Sequence, residues 1–76
     1  MKIILKNPTR RGKKHLKYLA KFHGLGYYAS HKSAVLCQID DEDLFEILKE
    51  EIEIHLDGTP GKNELYYDSE EYEADD

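Results

Sequence analysis

No carboxylate precedes Asp40 in this 76-residue chain. Lys2, Lys6, Arg10, Arg11, Lys13, Lys14, Lys17, Lys21 and Lys32 give residues 1–39 a charge of +9, and residues 40–76 hold all 16 acids against Lys49 and Lys62. The second part therefore stands at 2 − 16 = −14, and the two parts sum to the formal net charge of −5. Opposite charges on neighbouring elements help to close a fold, and charge left unpaired selects partners by electrostatic complementarity. The sign change falls in Ile39-Asp40-Asp41-Glu42-Asp43.

Seventy-six residues make one small domain. A chain of this size buries only about 60% of its unfolded surface, so a thin core and no deep catalytic cleft are expected. Cys37 is the sole cysteine and has no internal partner, which fits a reducing cytoplasm, bacterial or in an infected host cell. No apolar run approaches the roughly 20 residues of a membrane span, and Met1-Lys2-Ile3-Ile4-Leu5 is too short for a signal peptide. A soluble, cytoplasmic protein with no membrane partner is expected.

Along the chain, Met1, Ile3 and Leu5 alternate with Lys2, Ile4 and Lys6, the period of a strand with one buried face. Asn7-Pro8-Thr9 ends it, with Thr9 placed to cap a helix. From Arg10 to His23, Leu16, Leu19, Ala20 and His23 recur at helical spacing beside Lys13, Lys14, Lys17 and Lys21, and Gly24 follows as the stop. Leu25 to Ser30 reads as a short strand, His31-Lys32 as a hairpin turn, and the apolar run Ser33 to Ile39 as a central strand. Asp40 is the expected cap of a second helix, with Asp41, Glu42 and Asp43 in the first turn, where the helix dipole favours them. Leu44, Ile47 and Leu48 form its apolar stripe, with Phe45 at the edge. Ile52, Ile54 and Leu56 alternate with Glu53 and His55 as a last strand, and Gly58-Thr59-Pro60-Gly61 stops it.

Strand, helix, strand, strand, helix, strand, closed with right-handed crossovers, predicts an α+β ferredoxin-like βαββαβ sandwich: an antiparallel sheet in the order 4-1-3-2 with both helices on one face. The outward positions of the central strands are then Lys2, Ile4 and Lys6, and Ala34, Leu36 and Gln38. Residues 1–57 form this domain, and residues 58–76 are expected to be a mobile acidic tail containing Tyr66, Tyr67 and Tyr72. Charges on the rims of the basic and acidic helices are expected to pair.

No catalytic motif emerges, and neither an enzyme nor a cofactor is expected. The spacings of His15, His23, His31, His55 and Cys37 match no zinc pattern, so no metal is expected. Cys37 in an apolar strand reads as a small core residue without an orienting carboxylate. Asp40-Asp41-Glu42-Asp43 lacks the glycine and alternating ligands of a calcium loop.

Binding remains. Asp40, Asp41, Glu42, Asp43, Glu46 and Glu50 on the second helix, Glu53, and the tail residues Glu64, Asp68, Glu70, Glu71 and Glu73 with Tyr66 and Tyr67 are expected to form one negative surface. Such a surface would steer a basic, DNA-binding protein toward it, the tyrosines adding contact area. Alternatively, Arg10, Arg11, Lys13, Lys14, Lys17 and Lys21 form a phosphate-binding stripe for nucleic acid, autoinhibited by the acidic tail. A homodimer pairing the basic part of one chain with the acidic part of another is a third possibility.

In size, charge and layout the chain resembles the small acidic DNA-mimicking inhibitors made by bacteriophages, which implies inhibition of a host DNA-binding protein. The segment Lys21-Phe22-His23-Gly24-Leu25-Gly26-Tyr27-Tyr28-Ala29-Ser30-His31-Lys32 is similar to the Lys-Tyr-Gly-x-Ile-x-Tyr-x-Ser-Lys stretch of the YlbG-like small proteins of Gram-positive bacteria. Gly24, Tyr28, Ser30 and Lys32 match, while His23 is an insertion and Gly26 replaces an apolar position. That second resemblance implies a ferredoxin-like fold and no particular activity.

Overall fold

The computed structural model describes residues 1–56, Gly58 and residues 60–68. Six elements follow one another: β1 (Lys2–Lys6), α1 (Arg10–His23), β2 (Gly26–Ala29), β3 (Ser33–Cys37), α2 (Glu42–His55) and β4 (Glu64–Asp68). The strands form one antiparallel sheet in the order β2-β3-β1-β4, the expected 4-1-3-2 order read from its other edge. This is the ferredoxin-like βαββαβ arrangement.

Local chemistry sets the bounds of α1. The Thr9 hydroxyl accepts from the Gly12 N–H at 3.1 Å, satisfying one of the orphan donors of the first turn. At the other end Gly24 adopts the left-handed conformation at φ 69° that glycine tolerates without a Cβ clash, and its N–H returns to the Ala20 carbonyl. Between these caps, Leu16, Leu19 and Ala20 go into the core.

The core lies between the sheet and the helices. Ile3 and Leu5 of β1 face Leu36 and Ala34 of β3, and pack with Leu16 and Leu19 of α1 and Phe45, Leu48 and Ile52 of α2. This register corrects the expected orientation of β3. Ala34 and Leu36 point inward and are fully buried, while Val35 lies on the helix-free face with Ile4. Gln38, at φ 64°, breaks the strand before Ile39, which is buried outside it.

Two further expectations are overturned in the second half. Ile52 and Ile54 belong to α2, whose spacing Phe45, Leu48, Ile52 places one residue per turn in the core. Phe45 is thus central to the buried stripe, and Ile47 is 56% exposed. The alternation of Ile52, Ile54 and Leu56 is coincidental, since Ile54 points to solvent at 76% exposure. The cap is Asp41 rather than Asp40: its side chain accepts from Asp43 N at 2.9 Å and Leu44 N at 3.3 Å.

The last strand comes instead from the stretch read as tail. β4 pairs with β1 from Lys2↔Asp68 to Lys6↔Glu64, turning Leu65 and Tyr67 toward the helices and Tyr66 to the opposite face. Asn63 anchors its start. Asn63 N donates to the Asn7 carbonyl at 3.0 Å, and Oδ1 accepts from Thr9 N at 3.0 Å and the Thr9 hydroxyl at 3.4 Å. Gly12 lies beneath it, so close that a Cβ there would stand 2.5 Å from Asn63 Oδ1 and 2.9 Å from Leu5 Cδ2. The acidic residues beyond Asp68, including Glu70, Glu71 and Glu73, lie outside the described residues.

Candidate functional site

Three features on the helix layer carry chemistry. The first is acidic. Glu42, Asp43, Glu46, Glu50 and Glu53 are all exposed on α2, across about 16 Å at 1.5 Å per residue. Lys49 reaches Glu46 at 3.1 Å and lies 5.0 Å from the ring centroids of both Phe45 and Tyr67. Glu42, Asp43 and Glu50 have no cationic partner among the described residues. Ile47 and Ile54, seven residues apart, stand exposed among these acids.

Tyr67 joins this surface from β4. Its hydroxyl donates to Glu53 Oε2 at 2.6 Å, and its ring meets Phe45 edge to face. Burial, then the hydrogen bond and charge of Glu53 and the charge of Glu46, push its pKa well above the ordinary tyrosine value. Glu64, Tyr66 and Asp68 do not extend the surface. They lie on the other face of β4, with Glu64 opposite Lys6 and Asp68 opposite Lys2, and Lys6 Nζ sits 5.2 Å from the Tyr66 ring centroid. Asp40 and Asp41 are exposed just ahead of α2.

The second feature is basic and aromatic. Arg10, Arg11, Lys14, Lys17 and Lys21 are exposed on α1, and Lys13 is half-buried. Lys14, Lys17 and Lys21 line a shallow groove of about 270 Å³ with Tyr18. The Tyr18 and Phe22 rings, 58% and 69% exposed, stack at 5.9 Å with 22° between their planes. None of these three lysines pairs with a described acid, and the Lys49–Glu46 ion pair and the His55–Glu51 contact both lie within α2. The expected pairing of the two helix rims is therefore not what neutralises these lysines.

The third feature lies between the helices. A groove of about 450 Å³ is lined by Arg11, Lys14, His15 and Tyr18 of α1 and by Glu51 and His55 of α2. The His15 and His55 rings approach at 4.9 Å, nearly perpendicular, and His55 Nε2 is 4.0 Å from Glu51 Oε2. Burial, then the neighbouring His55, hold the His15 pKa below the ordinary histidine value, although the Glu51 carboxylate pulls it up. Of the other residues weighed as ligands, His31 is exposed in the β2–β3 turn, His23 meets Phe22 at the end of α1, and Cys37 is half-buried on β3.

Sequence reasoning passed over Tyr18 and Phe22, placed Ile47 on an apolar stripe and Ile54 in a strand, and weighed His15 and His55 as ligands without bringing them together. Tyr18 and Phe22 are four apart on a lysine-rich face, a readable signal of an exposed aromatic pair. Glu51 and His55 share the same spacing, but were hidden by the strand assignment. His15 joins them only through the packing of α1 beside α2. Comparison with protein families, curated proteins and solved structures finds no match to this chain. No helix among the described residues is long and apolar enough to cross a membrane.

Proposed function

We propose that this chain is a non-enzymatic binding module whose α2 surface docks on a basic, DNA-binding protein in place of DNA and so inhibits or regulates it. The observation that carries this reading is the row Glu42, Asp43, Glu46, Glu50 and Glu53, exposed along one helix with only Glu46 held by a lysine among the described residues. Un-neutralised carboxylates focus a field that attracts a positively charged groove, most strongly at low salt. Ile47 and Ile54 favour a protein partner over a solvating role. Apolar side chains inside a charged rim supply the desolvated contact from which interfaces draw affinity.

A specific observation favours a second reading, nucleic-acid binding by α1. Tyr18 and Phe22 offer ring faces to bases among Lys14, Lys17 and Lys21, which suit phosphates; stacking contributes about 1–3 kcal/mol per base in single-strand binders.

One experiment separates them. Fluorescence anisotropy of labelled duplex DNA and labelled single-stranded RNA is followed with the full chain alone, and with duplex preloaded with a basic DNA-binding protein, over a salt series. Displacement of the preloaded protein, without direct nucleic-acid binding, is the expected result. Changing Glu42, Glu46 and Glu50 to Gln and Asp43 to Asn together should abolish displacement, and Ile47→Ser with Ile54→Ser should weaken it. Displacement that survives the four changes refutes the acidic reading. Direct binding that is lost with Tyr18→Ser and Phe22→Ser establishes the second.

A further inference from the structure

We propose that His15, Glu51 and His55 bind a zinc-class divalent transition-metal ion that ties α1 to α2. One ligand atom from each of the three residues lies within 4.8 Å of the others. The donor set is two imidazoles and one carboxylate, which suits borderline metals such as Zn²⁺ better than the all-oxygen preference of Ca²⁺ or Mg²⁺. With metal–ligand distances of about 2.0–2.2 Å, tetrahedral donors sit about 3.3–3.6 Å apart. The three groups therefore close on an ion by moving at most about 1.5 Å from the 4.8 Å spacing, within reach of χ rotations of the exposed His55 and half-buried Glu51.

Two observations distinguish this cluster from an ordinary helix-surface pair. Glu51 and His55 alone, at i and i+4, would be an ordinary solvated contact along one helix. His15 comes from the other helix, and its Nε2 is buried with no hydrogen-bond partner among the described residues. A buried ring nitrogen without a partner costs stability, and coordination through that nitrogen would remove the cost. Arg11 and Lys14 line the same groove and oppose a bare dication, but the Glu51 carboxylate offsets part of the ion's charge. The two cations also favour an anion or hydroxide in the fourth coordination position, which none of the three side chains fills.

The test is Zn²⁺ titration of the full chain by calorimetry, with Ca²⁺ and Mg²⁺ as hard-cation controls. Binding of one Zn²⁺ per chain is expected, undiminished by excess Ca²⁺ and accompanied by a rise in Tm. His55→Ala and Glu51→Gln, both substitutions at accessible positions, should each weaken Zn²⁺ binding by at least about tenfold. His23→Ala and His31→Ala should leave it unchanged. As a readout that needs no variant, Zn²⁺ should shift the imidazole NMR signals of His15 and His55 and not those of His23 and His31. Absence of Zn²⁺ binding, binding that Ca²⁺ abolishes, equal binding by His55→Ala, or shifts at His23 or His31 instead would overturn the assignment.

Discussion

Replacing Gly12 by Ala tests whether residues 63–68 are part of the folded domain. On propensity alone the change should stabilise α1 by about 1 kcal/mol, because Gly is the poorer helix former. The packing opposes it. The new methyl would stand 2.5 Å from Asn63 Oδ1 and 2.9 Å from Leu5 Cδ2, both well inside van der Waals contact. Leu5 ends in a flexible side chain that can give way, but Asn63 is held by two bonds from Thr9. Displacing it strands the Thr9 N–H, at about 1–3 kcal/mol, and general overpacking adds about 1–3 kcal/mol. The net expectation is a loss of about 1–5 kcal/mol after the propensity gain is subtracted, or a Tm lower by roughly 4–40 °C for a domain of this size. The cause can be isolated. In an Asn63→Ala background the 2.5 Å contact is gone, so Gly12→Ala should cost no more than about 1 kcal/mol, a coupling of at least about 1 kcal/mol. Urea unfolding of the four proteins, followed by far-UV circular dichroism, measures this cycle. Additive effects, or a Gly12→Ala protein more stable than the parent, would refute the docking of Asn63 over Gly12.

Three other outcomes follow from the same contacts. Removing residues 62–76 should unfold the protein, because it takes away Asn63 and the strand beside β1; a well-dispersed amide spectrum from that fragment would show that residues 1–61 fold without β4. Tyr67→Phe should lower stability at neutral pH by no more than about 1 kcal/mol, since the bond it removes to Glu53 is exposed, and a larger loss by denaturant titration would mean that Tyr67 packs more deeply than described. The raised Tyr67 pKa means that the fold favours the protonated phenol, so this stability is intact below the unfolded tyrosine value of about 10 and falls as pH rises through the folded value. Unfolding curves above pH about 10 should therefore show a steeper decline for the parent than for Tyr67→Phe, and parallel declines would contradict the assigned environment.

What could be read from the sequence followed the range of the interactions that decide it. Both bounds of α1 were legible because Thr9 and Gly24 act on residues within four positions of themselves. The strand order was legible because six elements of this spacing leave few right-handed closures. The end of α2 was not. Ile52, Ile54 and Leu56 satisfy a strand period, and only the depth of Phe45, Leu48 and Ile52 in one core shows that the helical period governs. β4 was hidden for a related reason: Glu64, Tyr66 and Asp68 look like tail because their partners, Lys6, Ile4 and Lys2, lie some sixty residues earlier. A separation of about forty residues likewise concealed His15 from Glu51 and His55. Spacing along a chain reveals ligands that share an element, whereas a site shared by two helices needs their packing.

The charge division takes on a different meaning once β4 is in place. Its cross-strand register sets Glu64 opposite Lys6 and Asp68 opposite Lys2, so opposite charges face one another across the sheet. On the helix layer it is left largely unmatched: Lys14, Lys17 and Lys21 find no described acid, and Glu42, Asp43 and Glu50 find no described cation. Intramolecular neutralisation alone would bring these two sets together, since the helices share one face of the sheet. Instead each helix carries its charge with exposed apolar side chains, Tyr18 and Phe22 on one and Ile47 and Ile54 on the other. Exposed charge contributes about 0–1 kcal/mol per pair to a fold, but it sets the rate and orientation of association. That division of labour is why the helix layer, rather than the sheet, is where partners of this chain are to be sought.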